Sequence, residues 1–311
     1  MPNWPFPGRP FGLAPRKLRV IVYAALLAVT GVVATLGINL TIQAIEAKPT
    51  ALGALSQSAG GALVICGGGK LPDAVRDRFF NLAGGPRARI VVIPTAHEIA
   101  DDPDTRPLLA PWRTRGAASV QVLHTRSRDV ANDPAFCKSL SEATGVWLGG
   151  GKQSWLTDAY LGTEVERQLK KVLDRGGVIG GTSAGAAVMT RVMIARGRTK
   201  PDLSEGFGFF PDAVVDQHFL KRNRLRRLLS ALSDHPDLIG LGIDERTALV
   251  VNVRSHLLSV IGDSYVVACV PDPNGDHAAR LEILKPGDET NLSALKDPAG
   301  SIAAAIDFEA L

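Results

Sequence analysis

Apolar runs rich in β-branched residues recur at positions 62–66, 89–94, 119–123, 146–148 and 178–179, and helix-like segments separate them at 72–82, 105–115, 134–143 and 163–174. Short apolar runs without polar alternation predict strands buried on both faces. Pro72 suits a first helical turn, and Gly84-Gly85-Pro86 stops that helix. The alternation predicts right-handed βαβ units: an α/β fold with a mostly parallel sheet and helices on both faces. Ligand sites in such sheets lie at the C-terminal ends of strands. Gly67-Gly68-Gly69, Gly149-Gly150-Gly151 and Gly181 all fall there, so separate segments can meet at one cleft.

Further along, 238–243, 248–251, 257–261 and 265–270 read as short strands with turn signals between them, such as Gly262-Asp263. They predict an antiparallel extension of the same sheet. Residues 286–311 read as a C-terminal tail without a usable motif, with a short helix at 301–306.

The first sixty residues differ in kind. VIVYAALLAVTGVVATLGINL, from Val20 to Leu40, holds no charge and is long enough to cross a bilayer as a helix. Arg9, Arg16, Lys17 and Arg19 precede it without an acidic residue. The positive-inside rule then predicts a cytoplasmic leader (1–19), a signal anchor (20–42) and the bulk of the chain outside the cytoplasm. A cleaved signal peptide, giving a secreted or periplasmic protein, is the alternative. Its apolar core would normally run only about 7–15 residues, and Ile45-Glu46-Ala47 is a poor small-x-small cleavage site. Residues 43–60, rich in Ala, Ser, Gly and Pro, read as a flexible linker to a domain at 61–285.

Candidate chemistry centres on Gly181-Thr182-Ser183-Ala184-Gly185, between an apolar run and a small-residue helix start. A strand, a glycine-flanked serine and a helix are the setting of a nucleophile elbow. Side chains at Gly181 and Gly185 would clash inside so sharp a turn. The helix N-terminus behind Ser183 offers N–H groups to charge developing on a substrate oxygen. With 32 glycines in 311 residues, the motif also arises by chance, so a base and an acid must support it. Of six histidines, His218 ends an apolar strand candidate (213–215) and His124 also ends a strand-like run; His235 and His277 lie in polar loop contexts. A serine needs a neutral imidazole, and the imidazole an orienting group. Asp216, two residues from His218, could share its strand face, and Asp244 is a second candidate.

Gly181 to Met189, Val215-Asp216-Gln217-His218-Phe219, the Arg222/Arg224/Arg227 ladder and Leu241 to Ala248 together resemble the cyanophycinases. These are serine peptidases related to aspartyl dipeptidase (dipeptidase E), with a flavodoxin-like fold similar to class I glutamine amidotransferase domains. The resemblance covers roughly residues 60–270, with four motifs in order. It implies a Ser–His–Glu triad carried by Ser183, His218 and Glu245, with Asp216 and Asp244 as rivals for the acid. It also implies aspartyl recognition by Gln217, Arg222, Arg224 and Arg227. Relatives carry Gly-Gly-Asn-Gln or Gly-Gly-Asp-Gln facing the nucleophile; here the segment is Gly149-Gly150-Gly151-Lys152-Gln153, with Lys152 in the Asn/Asp place. Gly151 or Gly150 would join Ala184 in an oxyanion hole, and Gln153 would hydrogen-bond substrate. A phosphate-binding loop is excluded here, because Lys152 is followed by Gln153 rather than Ser or Thr.

The resemblance implies an aspartate-rich peptide substrate: cyanophycin cut to β-Asp-Arg dipeptides, or peptides with N-terminal aspartate. A catalytically silent, membrane-tethered binding protein is the reading from another class. On a helix starting after His218, Arg222 and Arg226 share one face and Arg224 and Arg227 another. Arg226 reads as solvated, whereas a guanidinium beside the base can clamp a carboxylate. Composition narrows little else. At 45% hydrophobic residues the chain can bury a sizeable core. Its net charge of +4 includes the leader cluster, and no basic patch with interleaved aromatics points to nucleic acid. Cys66, Cys137 and Cys269 lack zinc or C-x-x-C spacing and read as buried free thiols. Neither metal nor cofactor is expected, and a homodimer is left open.

Overall fold

The computed structural model describes residues 60–271, 278–297 and 304–307; the predicted leader, anchor and most of the linker lie outside them. Five strands, β1 (Ala62–Cys66), β2 (Arg89–Ile93), β3 (Ser119–Val122), β4 (Gly145–Leu148) and β5 (Val178–Thr182), pair in parallel in the order β1-β5-β4-β2-β3. Alternate residues of these strands feed two different apolar layers. Leu63 and Ile65 join one, and Val64 and Cys66 the other. That is why the runs carry no polar alternation.

The layers are capped by amphipathic helices. On one face lie α1 (Asp73–Leu82) and α2 (Arg106–Arg113), where Phe79, Trp112 and Trp147 form an aromatic cluster with centroids 4.8–5.0 Å apart. The short helices α3 (Arg128–Ala131) and α4 (Lys138–Glu142), with α5 (Gln153–Tyr160) and α6 (Glu164–Asp174), supply buried residues to the other layer. Val165, Leu169, Val172 and Leu173 give α6 its buried stripe. The stretch 134–137 is turn rather than helix, with Asp133 accepting the Ala135 N–H, a local bond that competes with helical pairing. α5 lies outside the predicted helices; its buried face consists of Leu156, Ala159 and Tyr160 alone.

After β5 come α7 (Ala184–Ala187) and the hairpin β6 (Val192–Arg196) and β7 (Asp202–Glu205). Next are β8 (Ala213–Gln217), α8 (Leu225–Ser233), β9 (Ile239–Ile243), β10 (Thr247–Asn252), β11 (Leu257–Gly262), β12 (Val266–Pro271) and β13 (Ala278–Leu284). β14 (Glu289–Asn291), α9 (Leu292–Lys296) and β15 (Ala304–Asp307) complete the described chain. Only β10, β11 and β14 extend the central sheet antiparallel, from β1.

The expectation for 238–243 and 265–270 is therefore corrected: β9 and β12 belong to a second sheet ordered β15-β13-β12-β9-β8. Its inner face, including Val215, Leu241 and Ala268, completes the layer shared with the central sheet, while Val214, Val267 and Cys269 face α8. Local periodicity marks both kinds of strand alike, and only long-range packing separates them. The presumed tail also contributes: β14 joins the central sheet and Leu295 of α9 is fully buried. Residues 304–307 form a strand on β13 rather than a helix, an antiparallel pairing that overrides the helix propensity of three alanines. All three cysteines are buried and free.

Candidate active site

Ser183 stands at the end of β5, where the chain reverses into α7. Its backbone has φ 53° and ψ −109°, a sparsely populated conformation that surrounding structure must hold in place. One hydrogen bond and close backbone packing hold it. Its N–H donates to the Cys66 carbonyl at 3.1 Å. A Cβ at Gly181 would lie 2.5 Å from the Gly185 carbonyl, and one at Gly185 would lie 2.3 Å from the Leu148 carbonyl. Both glycines are thus required by close backbone approach, and the turn is that of a nucleophile elbow.

The second sheet brings the imidazole. β8 and β9 run parallel with Gln217 opposite Ile243, so the residues just beyond each strand emerge at one edge. Gly67-Gly68-Gly69, just past β1, stitches that edge to the central sheet. The Gly67 carbonyl accepts from the His218 N–H at 2.7 Å, and the Gly68 carbonyl from the Arg246 N–H at 2.9 Å. A Cβ on Gly68 would sit 2.4 Å from the His218 ring, and one on Gly69 would sit 3.1 Å from a Glu245 oxygen. His218, with φ 52°, places Nε2 2.9 Å from Ser183 Oγ, and its Nδ1 lies 2.7 Å from Glu245 Oε1. A carboxylate only accepts, so Nδ1 carries the ring proton and Nε2 turns a lone pair toward the hydroxyl. Such a chain can receive a proton from Oγ.

Charge around the ring favours its neutral form. Burial pushes the His218 pKa below the usual imidazole value; the hydrogen bond to Glu245 opposes this, and the nearby Arg222 and Arg224 charges lower it further. The two rival acids are committed elsewhere. Asp216, fully buried, is bound by Arg227 through two hydrogen bonds and by Arg224 at 3.3 Å. Asp244 accepts from the Lys221 N–H at 2.9 Å and from the Ser264 hydroxyl at 2.8 Å.

Beside Ser183, the turn after β4 comes close through Gly150, whose Cβ position would lie 3.5 Å from Ser183 Cβ. Gly151, with φ 139°, instead packs against the Ala96 carbonyl, which a Cβ would approach to 2.0 Å. Among the described residues, the Gly150 and Ala184 N–H groups donate to no protein acceptor.

The remaining candidates divide. Arg222 is exposed and lines a cleft of about 580 Å³ with Gly197, Arg198, Thr199, Asn223 and Arg224. It stands in a turn, since α8 starts only at Leu225, so the helical-face argument does not apply to it. Arg224 is half-buried, its Nη1 2.6 Å from the Gln217 carbonyl and 3.3 Å from Asp216 Oδ1. Arg227, expected at the substrate, is buried and bound to Asp216 and to the Gly197 carbonyl, because it sits on the core face of α8. Gln217 is buried, with its side-chain oxygen toward Arg224 at 3.4 Å. Gln153 ties α5 to β6, donating to the Ile194 carbonyl at 3.1 Å and the Ala195 carbonyl at 2.5 Å. Arg226 is exposed, and His124 lies on another hydrogen-bonded chain, away from Ser183.

A family model described as Peptidase family S51 matches residues 63–258. The chain belongs to this family. It is 34% identical over 250 residues to the cyanophycinase of Geminocystis herdmanii, covering 73% of this chain and 91% of that protein. It is 35% identical over 259 residues to the cyanophycinase of Trichormus variabilis, covering 74% and 85%. Among solved structures, a peptidase from an acI-B1 Actinobacterium superposes with a TM-score of 0.58 at 25% identity, over 75% of this chain and 97% of that one. The protein is thus a cyanophycinase-like, serine-type S51 peptidase on a mixed α/β fold. In this peptidase Arg198 and Thr199, which line the cleft with Arg222, are marked in the sequence by one signal. The signal was a basic hairpin tip, Arg196-Gly197-Arg198-Thr199-Lys200, whose Gly197 carbonyl is anchored by Arg227.

Proposed function

We propose that the chain hydrolyses cyanophycin-type poly(Asp-Arg) peptides through Ser183, His218 and Glu245. The observation that carries this reading is the unbroken hydrogen-bonded chain from hydroxyl to imidazole to carboxylate, at 2.9 and 2.7 Å. His218 takes the Ser183 proton as Oγ attacks the scissile carbonyl, and Glu245 holds the tautomer and stabilises the imidazolium. The Ala184 N–H, with Gly150 facing it across Ser183, receives the oxyanion; one such donor is worth about 3 kcal/mol of barrier. His218 then protonates the leaving amine, and water, activated by the same ring, resolves the acyl-enzyme.

Substrate aspartyl groups fit the cleft that Arg198, Arg222 and Arg224 line beside His218, where a guanidinium can bind a carboxylate by two bonds. Arg227 acts behind this wall through Asp216. The curated relatives named above are cyanophycinases, and this supports the same substrate here. Residues 20–42 would tether the domain to a membrane with the peptidase outside the cytoplasm. Among the described residues no helix is long and apolar enough to cross a membrane, and the proposed anchor lies outside them. The composition of that segment is what supports the tether.

The deciding experiment incubates the full-length protein with cyanophycin and, separately, with Asp-X dipeptides, beside a fluorophosphonate probe. Release of β-Asp-Arg, and labelling abolished by Ser183→Ala, is the expected result. Cleavage of Asp-X dipeptides alone moves the substrate assignment, and labelling that survives Ser183→Ala refutes the nucleophile. Carbonate extraction of cell membranes tests the tether: recovery of the intact chain in the soluble fraction overturns it.

A further inference from the structure

The loop after β2 carries a second hydrogen-bonded chain that the hydrolytic steps do not use. Thr95 is fully buried, and its hydroxyl lies 2.8 Å from His124 Nδ1 and 2.7 Å from the Tyr160 hydroxyl. His124 Nε2 lies 2.9 Å from Asp101 Oδ1. Tyr160 oxygen also accepts the Thr125 N–H at 3.1 Å. One arrangement of hydrogens satisfies every group. Tyr160 donates to Thr95, Thr95 donates to His124 Nδ1, and His124 Nε2–H donates to Asp101. Arg126 closes the loop from outside, bonding Asp101 and the His97 carbonyl.

This chain joins the ends of β2, β3 and α5 around the segment 94–101. That segment is the floor of the Gly150 turn. The Ala96 carbonyl accepts the Lys152 N–H at 2.8 Å, the Ile93 carbonyl accepts the Gly149 N–H at 2.9 Å, and Gly151 lies flush against Ala96. Lys152 and Arg126 also both lie over the Trp155 ring, at 4.3 and 4.5 Å. The backbone facing Ser183 is therefore braced from Thr95 outward, and no residue of the brace touches the Ser183 hydroxyl or His218.

We propose that Thr95, His124 and Asp101 are positioning residues that hold the Gly150 turn at the distance from Ser183 which oxyanion binding requires. The inference rests on the hydrolytic reading above. Misplacing a donor by a fraction of an ångström weakens an interaction made only in the transition state. The loss then falls on kcat and kcat/KM together, with KM little moved.

The test uses the full-length protein. Thr95→Val keeps the shape and removes the hydroxyl, Thr95→Ser keeps the hydroxyl, and His124→Phe removes the link to Asp101. The expected result is a fall of about tenfold or more in kcat for Thr95→Val and His124→Phe, with KM within about threefold. Fluorophosphonate labelling should slow in parallel, and Thr95→Ser should recover most of the rate. Circular dichroism and thermal unfolding show whether each variant is folded. If Thr95→Val does not fold, Asp101→Ala, at a side chain 64% exposed, takes its place with a smaller fall in kcat. A folded variant with wild-type kcat, or a loss confined to KM, overturns the positioning role while wild-type turnover leaves the hydrolytic reading standing. A wild-type protein that neither labels nor turns over defeats the hydrolytic reading, and this inference with it.

Discussion

Replacing Glu245 by Gln tests the proposed orienting carboxylate with almost no change of shape. The wild-type carboxylate, 2.7 Å from His218 Nδ1, can only accept, so it fixes the ring proton on Nδ1. A carboxamide can turn its NH₂ toward Nδ1 instead, which moves the ring proton to Nε2. The nitrogen 2.9 Å from Ser183 Oγ would then be a donor, unable to take the hydroxyl proton. In serine hydrolases a wrong tautomer of this kind costs about 10⁴ in kcat, equivalent to about 5 kcal/mol of barrier. Binding is untouched, so KM should stay near the wild-type value. Stability should barely change, because the Glu245 side chain is 27% exposed and its hydrogen bond to the neutral ring is partly open to water. Initial rates on cyanophycin, with Ser183→Ala as the floor, measure the effect, and thermal unfolding provides the control. Near-full turnover in a folded Glu245→Gln protein would falsify the assignment and return the role to another acid.

Other outcomes rest on the same geometry. The acid limb of kcat/KM should have its midpoint below about 6.5, the ordinary imidazole pKa, because His218 must be neutral to act and its pKa is depressed by burial. Arg222→Ala removes a charge that lowers this pKa, so the limb should move to higher pH; an unmoved limb in pH–rate profiles refutes the electrostatic link. The same depression means the unfolded chain binds the His218 proton more readily, so this group's stabilisation is complete above the unfolded pKa and is lost as pH falls through the folded one. Asp216→Ala should cost about 3–5 kcal/mol in denaturant unfolding, since it strands the buried Arg227 charge; a loss below about 1 kcal/mol contradicts the buried-pair account. Gly68→Ala should lower kcat at least about tenfold with the fold retained, by driving a methyl to within 2.4 Å of the His218 ring; wild-type kinetics would show that the ring has room to move.

The parallel half of the fold was legible because its signals are local. Buried strands such as Ile90 to Ile93 and amphipathic helices such as α6 announce themselves in windows of ten residues or so. The second sheet was not legible, since Ile239 to Ile243 looks the same whether it pairs with β8 or extends β10. α5 escaped because three buried positions and a polar start leave almost no periodicity. The burial of Arg227 is not legible for a related reason. Spacing on α8 shows which arginines share a face, but whether that face meets solvent or the buried Asp216 depends on β8 lying underneath.

The elbow is legible from five residues, whereas His218 and Glu245 come with the family resemblance and not from spacing, and the reason is topological. Ser183 is built by one strand end and the helix that follows it, so sequence neighbours determine its geometry. His218 and Glu245 reach it only because two sheets meet at Gly67-Gly68-Gly69, where three residues without side chains let the ends of β1, β8 and β9 come within hydrogen-bond distance. In the sequence these glycines mark a strand end where a cleft can form, but not which residues they meet there. Their close approach to a ring and a carboxylate from 150 or more positions downstream is what turns three separate motifs into one site. The same dependence makes that junction more sensitive to an added methyl group than to many larger changes on the surface. Surface side chains can move aside, whereas the backbone at Gly67 and the ring at Gly68 already occupy the space a methyl group would need.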